Sequence, residues 1–201
     1  MTKQARSEHT RRLLLEAAAE LLHQDGYAAT SMVGIAQAAG VTKGGLYFHF
    51  SSKDEICDEV QVAATAVLAE HVHRQRVLPR QALPRLADLS HALMHWLDTD
   101  PTVGASFRMA REMGSADERF VAFSRAWLAQ VHRYVADALE AGELGTDIPI
   151  ETAELLVAVT CVGLESAVSS RIVKPEGDLA ATLSKLWRLI ELSPQAPSRR
   201  A

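Results

Sequence analysis

The chain has 201 residues, of which 48% are hydrophobic and 23% charged, and its formal net charge is −4. A chain of this size and composition buries a core in one to two domains without staples, and wholesale disorder is excluded. Two cysteines far apart in sequence, Cys57 and Cys161, match no zinc spacing, so free thiols in a reducing cytoplasm are expected, and no run of ~18 uninterrupted apolar residues suggests a membrane span.

At the N-terminus, Arg11, Arg12, Glu16 and Glu20 interrupt the apolar stretch, so no secretory segment is expected. The same stretch reads as a helix from about Glu8 to His23, because Leu14, Ala17, Ala18, Leu21 and Leu22 recur at the three-and-four spacing of one buried stripe. Gly26 supplies its stop. Thr30 or Ser31 can cap a short second helix through Ala39, Gly40 can take a left-handed turn, and a third helix starts near Thr42. Two short helices joined by a tight glycine turn form a helix-turn-helix.

The third helix lies in "VTKGGLYFHF", which crowds aromatic rings into a chain only 5% aromatic. Leu46 and Phe50, four apart, can face the core, which leaves Lys43, Gly44, Gly45, Tyr47, Phe48 and His49 around the rest. That surface suits a DNA major groove. Glycine lets backbone approach the duplex, Thr42 and Lys43 can donate to phosphates or base edges, and aromatic rings can pack on thymine methyls. Alternatively, Tyr47 and Phe48 pack against neighbouring helices. Charge is compatible with the first reading: residues through Lys53 carry +2 and the remainder −6, so a modestly basic head sits on an acidic body.

Beyond Lys53, residues 54–77 continue as a long helix, and "LPRQALP" breaks the chain before an amphipathic fifth helix over 85–100. Pro101 starts a sixth helix through Met113. "GSAD" separates it from a long seventh over 118–144, ended by Gly142 and Gly145. An eighth over 147–173 and a ninth over 175–192 follow, and residues 193–201 read as a disordered tail. The expected fold is therefore all-α, with about nine helices. A DNA-binding domain occupies 1–53, a helical ligand-binding and dimerisation domain 54–192.

In the eighth helix, Leu155, Leu156, Val159, Val162, Gly163 and Val168 spread apolar surface around the circumference, so a second buried face is needed. A second copy of the chain would supply it; burial of the helix inside its own subunit is the alternative. Large soft side chains on helices five to seven, among them Trp96, Phe107, Met109, Phe123 and Trp127, can line an apolar cavity or simply fill a core. No Gly-x-Ser-x-Gly elbow, phosphate loop or dinucleotide fingerprint occurs, so neither an enzyme nor a cofactor is expected. His91 and His95, at i and i+4, could share a metal, but the pair lacks further ligands, so no metal site is assigned; a metal-responsive regulator is the alternative.

The stretch "TRRLLLEAAAELLHQDGYAATSMVGIAQAAGVTKGGLYFHFSSKDEI" closely resembles the N-terminal domain of the tetracycline-repressor (TetR) family of bacterial transcription factors. "Gly-Tyr" after the first helix, "Thr-Ser" before the second, "Ala-Gly-Val" in the turn and "Leu-Tyr-x-His-Phe" carry the resemblance. Within that family "VTKGGLYFHF" is most similar to the γ-butyrolactone autoregulator receptors of actinomycetes, with Gly45 where alanine is usual. The resemblance implies a cytoplasmic homodimer, paired through its last two helices, that represses from a pseudo-palindromic double-stranded DNA operator. A small apolar effector, lactone-like or antibiotic-like, would release it; a pseudo-receptor without lactone binding is the variant reading. Thr42, Lys43, Gly44, Tyr47, Phe48 and His49 fall where the family meets its operator, Lys53 where it holds a phosphate, and Trp127 where the lactone receptors cover their ligand. Ser106 and Phe107 stand before Arg108 where those receptors often carry small residues.

Overall fold

The computed structural model describes residues 3–76, 81–114, 116–144, 149–170 and 179–191. Those residues form nine α-helices and one 3-10 turn, with no strand among them. The helices are α1 (Lys3–Gln24), α2 (Met32–Ala38), α3 (Lys43–His49), α4 (Lys53–Arg76), α5 (Ala82–Thr99), α6 (Pro101–Met113), α7 (Ala122–Glu140), α8 (Ile150–Ser169) and α9 (Leu179–Glu191), with the 3-10 turn over Glu118–Val121. The expected all-α class is found. Val77, Gly145, the end expected for the eighth helix and the tail at 193–201 lie outside the described residues.

Boundaries moved where polar or cap chemistry governs them. The first helix starts at Lys3 rather than Glu8, held by polar contacts such as Gln4 Nε2 to Glu8 Oε1 at 3.1 Å and Thr10 Oγ1 to the Arg6 carbonyl at 3.0 Å. The fifth starts at Ala82, because a proline is tolerated in the first turn and the Glu143 carboxylate accepts from the N–H groups of Ala82 and Leu83 at 3.0 and 2.8 Å. The seventh starts four residues late, after the 3-10 turn, whose Arg119 N–H is capped by the Asp117 carboxylate. Asp100 caps α6 by accepting from Thr102 and Val103, with Pro101 in its first turn as expected.

The chain packs as two units. One comprises residues 1–80 and 96–133, the other 81–95 and 134–201. In the first unit, Leu14, Ala18, Ile35, Ala36, Leu46, Phe50 and Ile56 form a core under the three N-terminal helices. Further along α1, Ala19 and Leu22 join Cys57, Val60, Ala105, Met109 and Phe120 in a second core shared with α4 and α6. Packing therefore does not divide the chain at residue 53, since α1 is long enough to serve both clusters. Gln61, buried in α4, donates to the Phe120 carbonyl and accepts from the Phe123 N–H, each at 3.0 Å, which fixes the start of α7.

In the second unit, α8 buries Val157, Cys161 and Leu164 along one stripe and exposes Leu155, Leu156, Val159 and Val162 along another. By length and composition alone, Ile150–Ser169 could cross a membrane, which the sequence reading had not found. The helix qualifies despite Glu154 and Glu165 because a span is judged on mean hydropathy rather than on an unbroken apolar run. Cys57 and Cys161 are free and buried, and burial pushes both thiols up to about 12, which keeps them protonated and unreactive.

Candidate nucleic-acid interface and effector site

Local capping sets the geometry of the helix-turn-helix. Ser31 caps α2 by accepting from the Gly34 N–H at 3.0 Å, and Thr42 caps α3 by accepting from Gly45 at 3.1 Å. Between them Gly40 has a φ of +65°, a left-handed conformation that side chains disfavour, and the Val41 N–H closes the turn on the Ala36 carbonyl at 2.9 Å. Gly45 is tight: a Cβ there would stand 2.9 Å from Val41 Cγ1, so alanine would require Val41 to move.

With Leu46 and Phe50 buried, the opposite side of α3 is presented to solvent. Tyr47 is 47% exposed and Phe48 79% exposed, so neither ring packs into the core. Thr42, Lys43 and Gly44 are exposed beside them, and His49 is half-buried with its ring edge-on to Phe48 at 5.1 Å. Lys43 Nζ stands 5.9 Å from the centre of the Tyr47 ring. A cation, a phenol, an apolar ring and a bare backbone at Gly44 thus share one short helix, the mixture that base edges, methyls and phosphates accept.

Lys53 is placed differently from those six. Half-buried at the start of α4, it donates to the carbonyls of Tyr27 at 2.8 Å and Thr30 at 3.0 Å, and its ammonium lies 3.7 Å from the Tyr27 ring centre. Two of its three donors are spent on backbone that leads into α2. The start of α4 is capped independently: Ser52 Oγ accepts from the Glu55 N–H at 3.1 Å while the Glu55 carboxylate accepts from Ser51 N–H and Oγ, both at 2.7 Å. Those Ser51 bonds hold the Glu55 carboxyl below its usual range.

Sequence reasoning missed a clamp between α6 and the end of α1. Arg108 Nη1 donates to the carbonyls of His23 at 2.9 Å and Gln24 at 2.6 Å, and Arg108 Nε donates to Glu112 Oε1 at 2.7 Å. Glu112 Oε2 accepts from the Tyr27 N–H at 3.0 Å. The guanidinium satisfies helix-end carbonyls that would otherwise lack donors. The motif gave no sign of this, since the partners are 84 and 85 residues apart.

The five side chains expected around an effector, Trp96, Phe107, Met109, Phe123 and Trp127, are all buried. Met109 stands in the shared core of α1, α4 and α6. Trp96 takes the His71 ring edge-on at 5.3 Å. Trp127 is 2% exposed, and its indole N–H has no hydrogen-bond acceptor among the described residues; the buried Ser106 Oγ has none either. Leaving a buried donor unmatched costs about 1–3 kcal/mol. An open cleft of about 370 Å³ lies elsewhere, between α4 and α7, and none of the five lines it. His91 is committed within its own unit: Nδ1 donates to the Ala87 carbonyl at 2.7 Å and Nε2 accepts from Ser184 Oγ at 2.8 Å, which leaves no lone pair for a metal shared with His95.

Comparison with known proteins agrees with this geometry. Residues 14–60 match the family described as bacterial regulatory proteins, tetR family. The transcriptional regulator AcrR of Shigella flexneri is 34% identical over 102 residues, covering 50% of this chain and 46% of that protein. The A-factor receptor protein of Streptomyces griseus is 29% identical over 195 residues, covering 94% of this chain and 65% of its own length. The chain thus spans less than two thirds of either relative. A solved structure concerned with control of antibiotic production by bacterial hormones superposes with a TM-score of 0.73 at 27% identity, covering 90% of this chain and 93% of that one. The matched residues 14–60 coincide with the capped helix-turn-helix and form a domain of the kind found in bacterial regulatory proteins of the tetR family, while the similarity to the A-factor receptor and to the hormone-control structure runs on through the helical body.

Proposed function

We propose that the protein is a ligand-responsive repressor that binds a pseudo-palindromic operator as a homodimer and leaves it when a small, largely apolar effector binds. The observation that carries this reading is the exposure of Tyr47 and Phe48 on a helix anchored by Leu46 and Phe50. Thr42, Lys43, Gly44, Tyr47, Phe48 and His49 form the reading surface. Lys53 acts chiefly by fixing the path into α2, with its remaining donor available to a phosphate. Residues 1–53 are the reading head, and 54–192 the sensing and pairing body.

The apolar stripe of Leu155, Leu156, Val159 and Val162 supports pairing through α8 and α9. One recognition helix reads only a few base pairs, and a two-fold dimer doubles the site. A membrane span is the weaker reading of α8, because Val157, Cys161 and Leu164 are already packed in the protein's own core. A cytoplasmic location follows from access to chromosomal DNA.

Trp127 and Ser106 offer unmatched polar atoms inside an aromatic region, which supports a ligand of mixed apolar and carbonyl character. Similarity to the A-factor receptor supports a lactone-like signal. Release requires the effector to favour one conformation over the other, and only differential affinity can do that. The test is an operator-shift titration with a γ-butyrolactone: Trp127→Phe should bind operator normally and need at least about tenfold more lactone for release. Normal release by that variant removes Trp127 from the effector site, and failure of the wild-type protein to retain any genomic fragment at low salt overturns the reading as a whole.

A further inference from the structure

The cleft between α4 and α7 has a chemistry distinct from the aromatic region around Trp127. Leu68, Val72 and Ala126 line its apolar part, and Gln130, Arg76 and Arg133 its polar part. No carboxylate lines it among the described residues. Its volume of about 370 Å³ falls within the range of small-molecule sites.

Gln130 is 6% exposed, yet its amide makes no hydrogen bond among the described residues. The amide is open to the cleft, so its donors and acceptor are available to a molecule bound there. Arg133 likewise makes no ion pair among the described residues, although acidic side chains are abundant in this chain. Arg76 has a structural reason to be where it is, since a cation in the last turn of α4 opposes the helix dipole. Arg133 lies well inside α7 and has no such reason. His73 adds a third donor to the same wall.

The geometry points to a second ligand site in this cleft, one that takes an amphipathic monocarboxylate with its chain along Leu68, Val72 and Ala126 and its carboxylate between Arg76 and Arg133. Guanidinium groups match a carboxylate with paired, charge-assisted hydrogen bonds, and a neutral lactone could not repay their desolvation as well. Gln130 donates to the same head group. The inference is independent of the effector reading for Trp127, and because α4 runs unbroken from Lys53 to Arg76, a ligand here touches the helix that begins beside the reading head.

Isothermal titration of the full chain with decanoate tests it, with decanamide and inorganic phosphate as the other arms. Saturable decanoate binding is expected, with decanamide and phosphate each at least about tenfold weaker, because either half of the recognition is then missing. Arg133→Gln and Arg76→Gln should each weaken decanoate about tenfold, and both residues are exposed enough for the variants to fold, which a thermal melt verifies. Trp127→Phe should leave decanoate binding unchanged while altering the lactone response, which separates this site from the proposed effector site. Equal affinity for decanoate and decanamide, equal affinity for decanoate and phosphate, no saturable binding, or undiminished binding by both arginine variants overturns the assignment.

Discussion

The Tyr27 hydroxyl donates a 2.6 Å hydrogen bond to Asp54 Oδ1, joining the turn after α1 to the first turn of α4. The same ring meets Phe120 edge-on at 5.2 Å and lies under the Lys53 ammonium. The Asp54 bond, burial and the negative charge of Asp54 together raise the phenol from 10.0 to about 12, while that bond holds the Asp54 carboxyl below its usual range. The phenol is raised, so the folded state retains its proton more tightly; the stabilisation is complete below pH ~10 and is lost as pH climbs towards 12. Tyr27→Phe should therefore cost about 0.5–1 kcal/mol at pH 7, the low end because Asp54 is partly exposed to water. Urea melts across the alkaline range check it: the gap between variant and wild type should close between pH 10 and 12, and a gap that persists would remove the hydrogen bond as its source.

Burial separates folding from recognition on α3. Tyr47→Ala and Phe48→Ala remove exposed rings and should change stability by no more than about 0.5 kcal/mol while each reduces operator affinity at least about tenfold. Leu46→Ala empties a fully buried position and should cost about 2–5 kcal/mol. Thermal denaturation and fluorescence anisotropy on labelled operator read the two effects apart. If Phe48→Ala destabilised the chain as much as Leu46→Ala, the assignment of its ring to the DNA side would fail.

The exposed face of α3 was legible because periodicity and turn chemistry agree there. Leu46 and Phe50 fall four apart, and Gly40 stands where the backbone turns left-handed. The start of α1 was not legible, since residues 3–12 are polar and carry no apolar stripe to extend the helix from. The class of Tyr47 and Phe48 as exposed rings also needed coordinates: their spacing suits either a groove or a neighbouring helix. Lys53 shows a deeper limit. The family resemblance implies a phosphate there, but the carbonyls of Tyr27 and Thr30 that claim it are 26 and 23 residues away. For the same reason neither the Arg108 clamp nor the cleft beside Arg133 was visible, as each depends on side chains brought together from distant helices.

Glu112 makes that clamp sensitive to acid. Burial pushes its carboxyl up, but Arg108 and the Tyr27 N–H more than offset this and leave it below its ordinary value of 4.5. The folded value is depressed, so the bond's stabilisation is present above pH ~4.5 and is lost as pH falls through the folded value. Glu112→Gln should lower stability by about 1–2 kcal/mol at pH 7 and by less at pH 3.5, below the ordinary carboxyl value. Chemical denaturation at both values checks the sign; equal losses would mean that packing at Gly26, where the Glu112 carboxylate lies close, matters more than charge.

Pairing through α8 has a direct chemical test in Val159. The side chain is 60% exposed in the single chain, so a carboxylate there meets water and should leave the fold of one subunit intact. In a two-fold dimer the same position faces its copy or a close neighbour of it, and burying two like charges in an apolar contact is opposed by both desolvation and repulsion. Val159→Asp should therefore sediment as a monomer at micromolar concentration, melt within about 1 kcal/mol of the single-subunit stability, and lose the part of operator affinity that comes from joining two half-sites. A Val159→Asp protein that still sediments as a dimer would move the pairing surface off this stripe, and Leu155→Asp, at a position 62% exposed one helical turn away, distinguishes a tolerant edge of the interface from no interface at all.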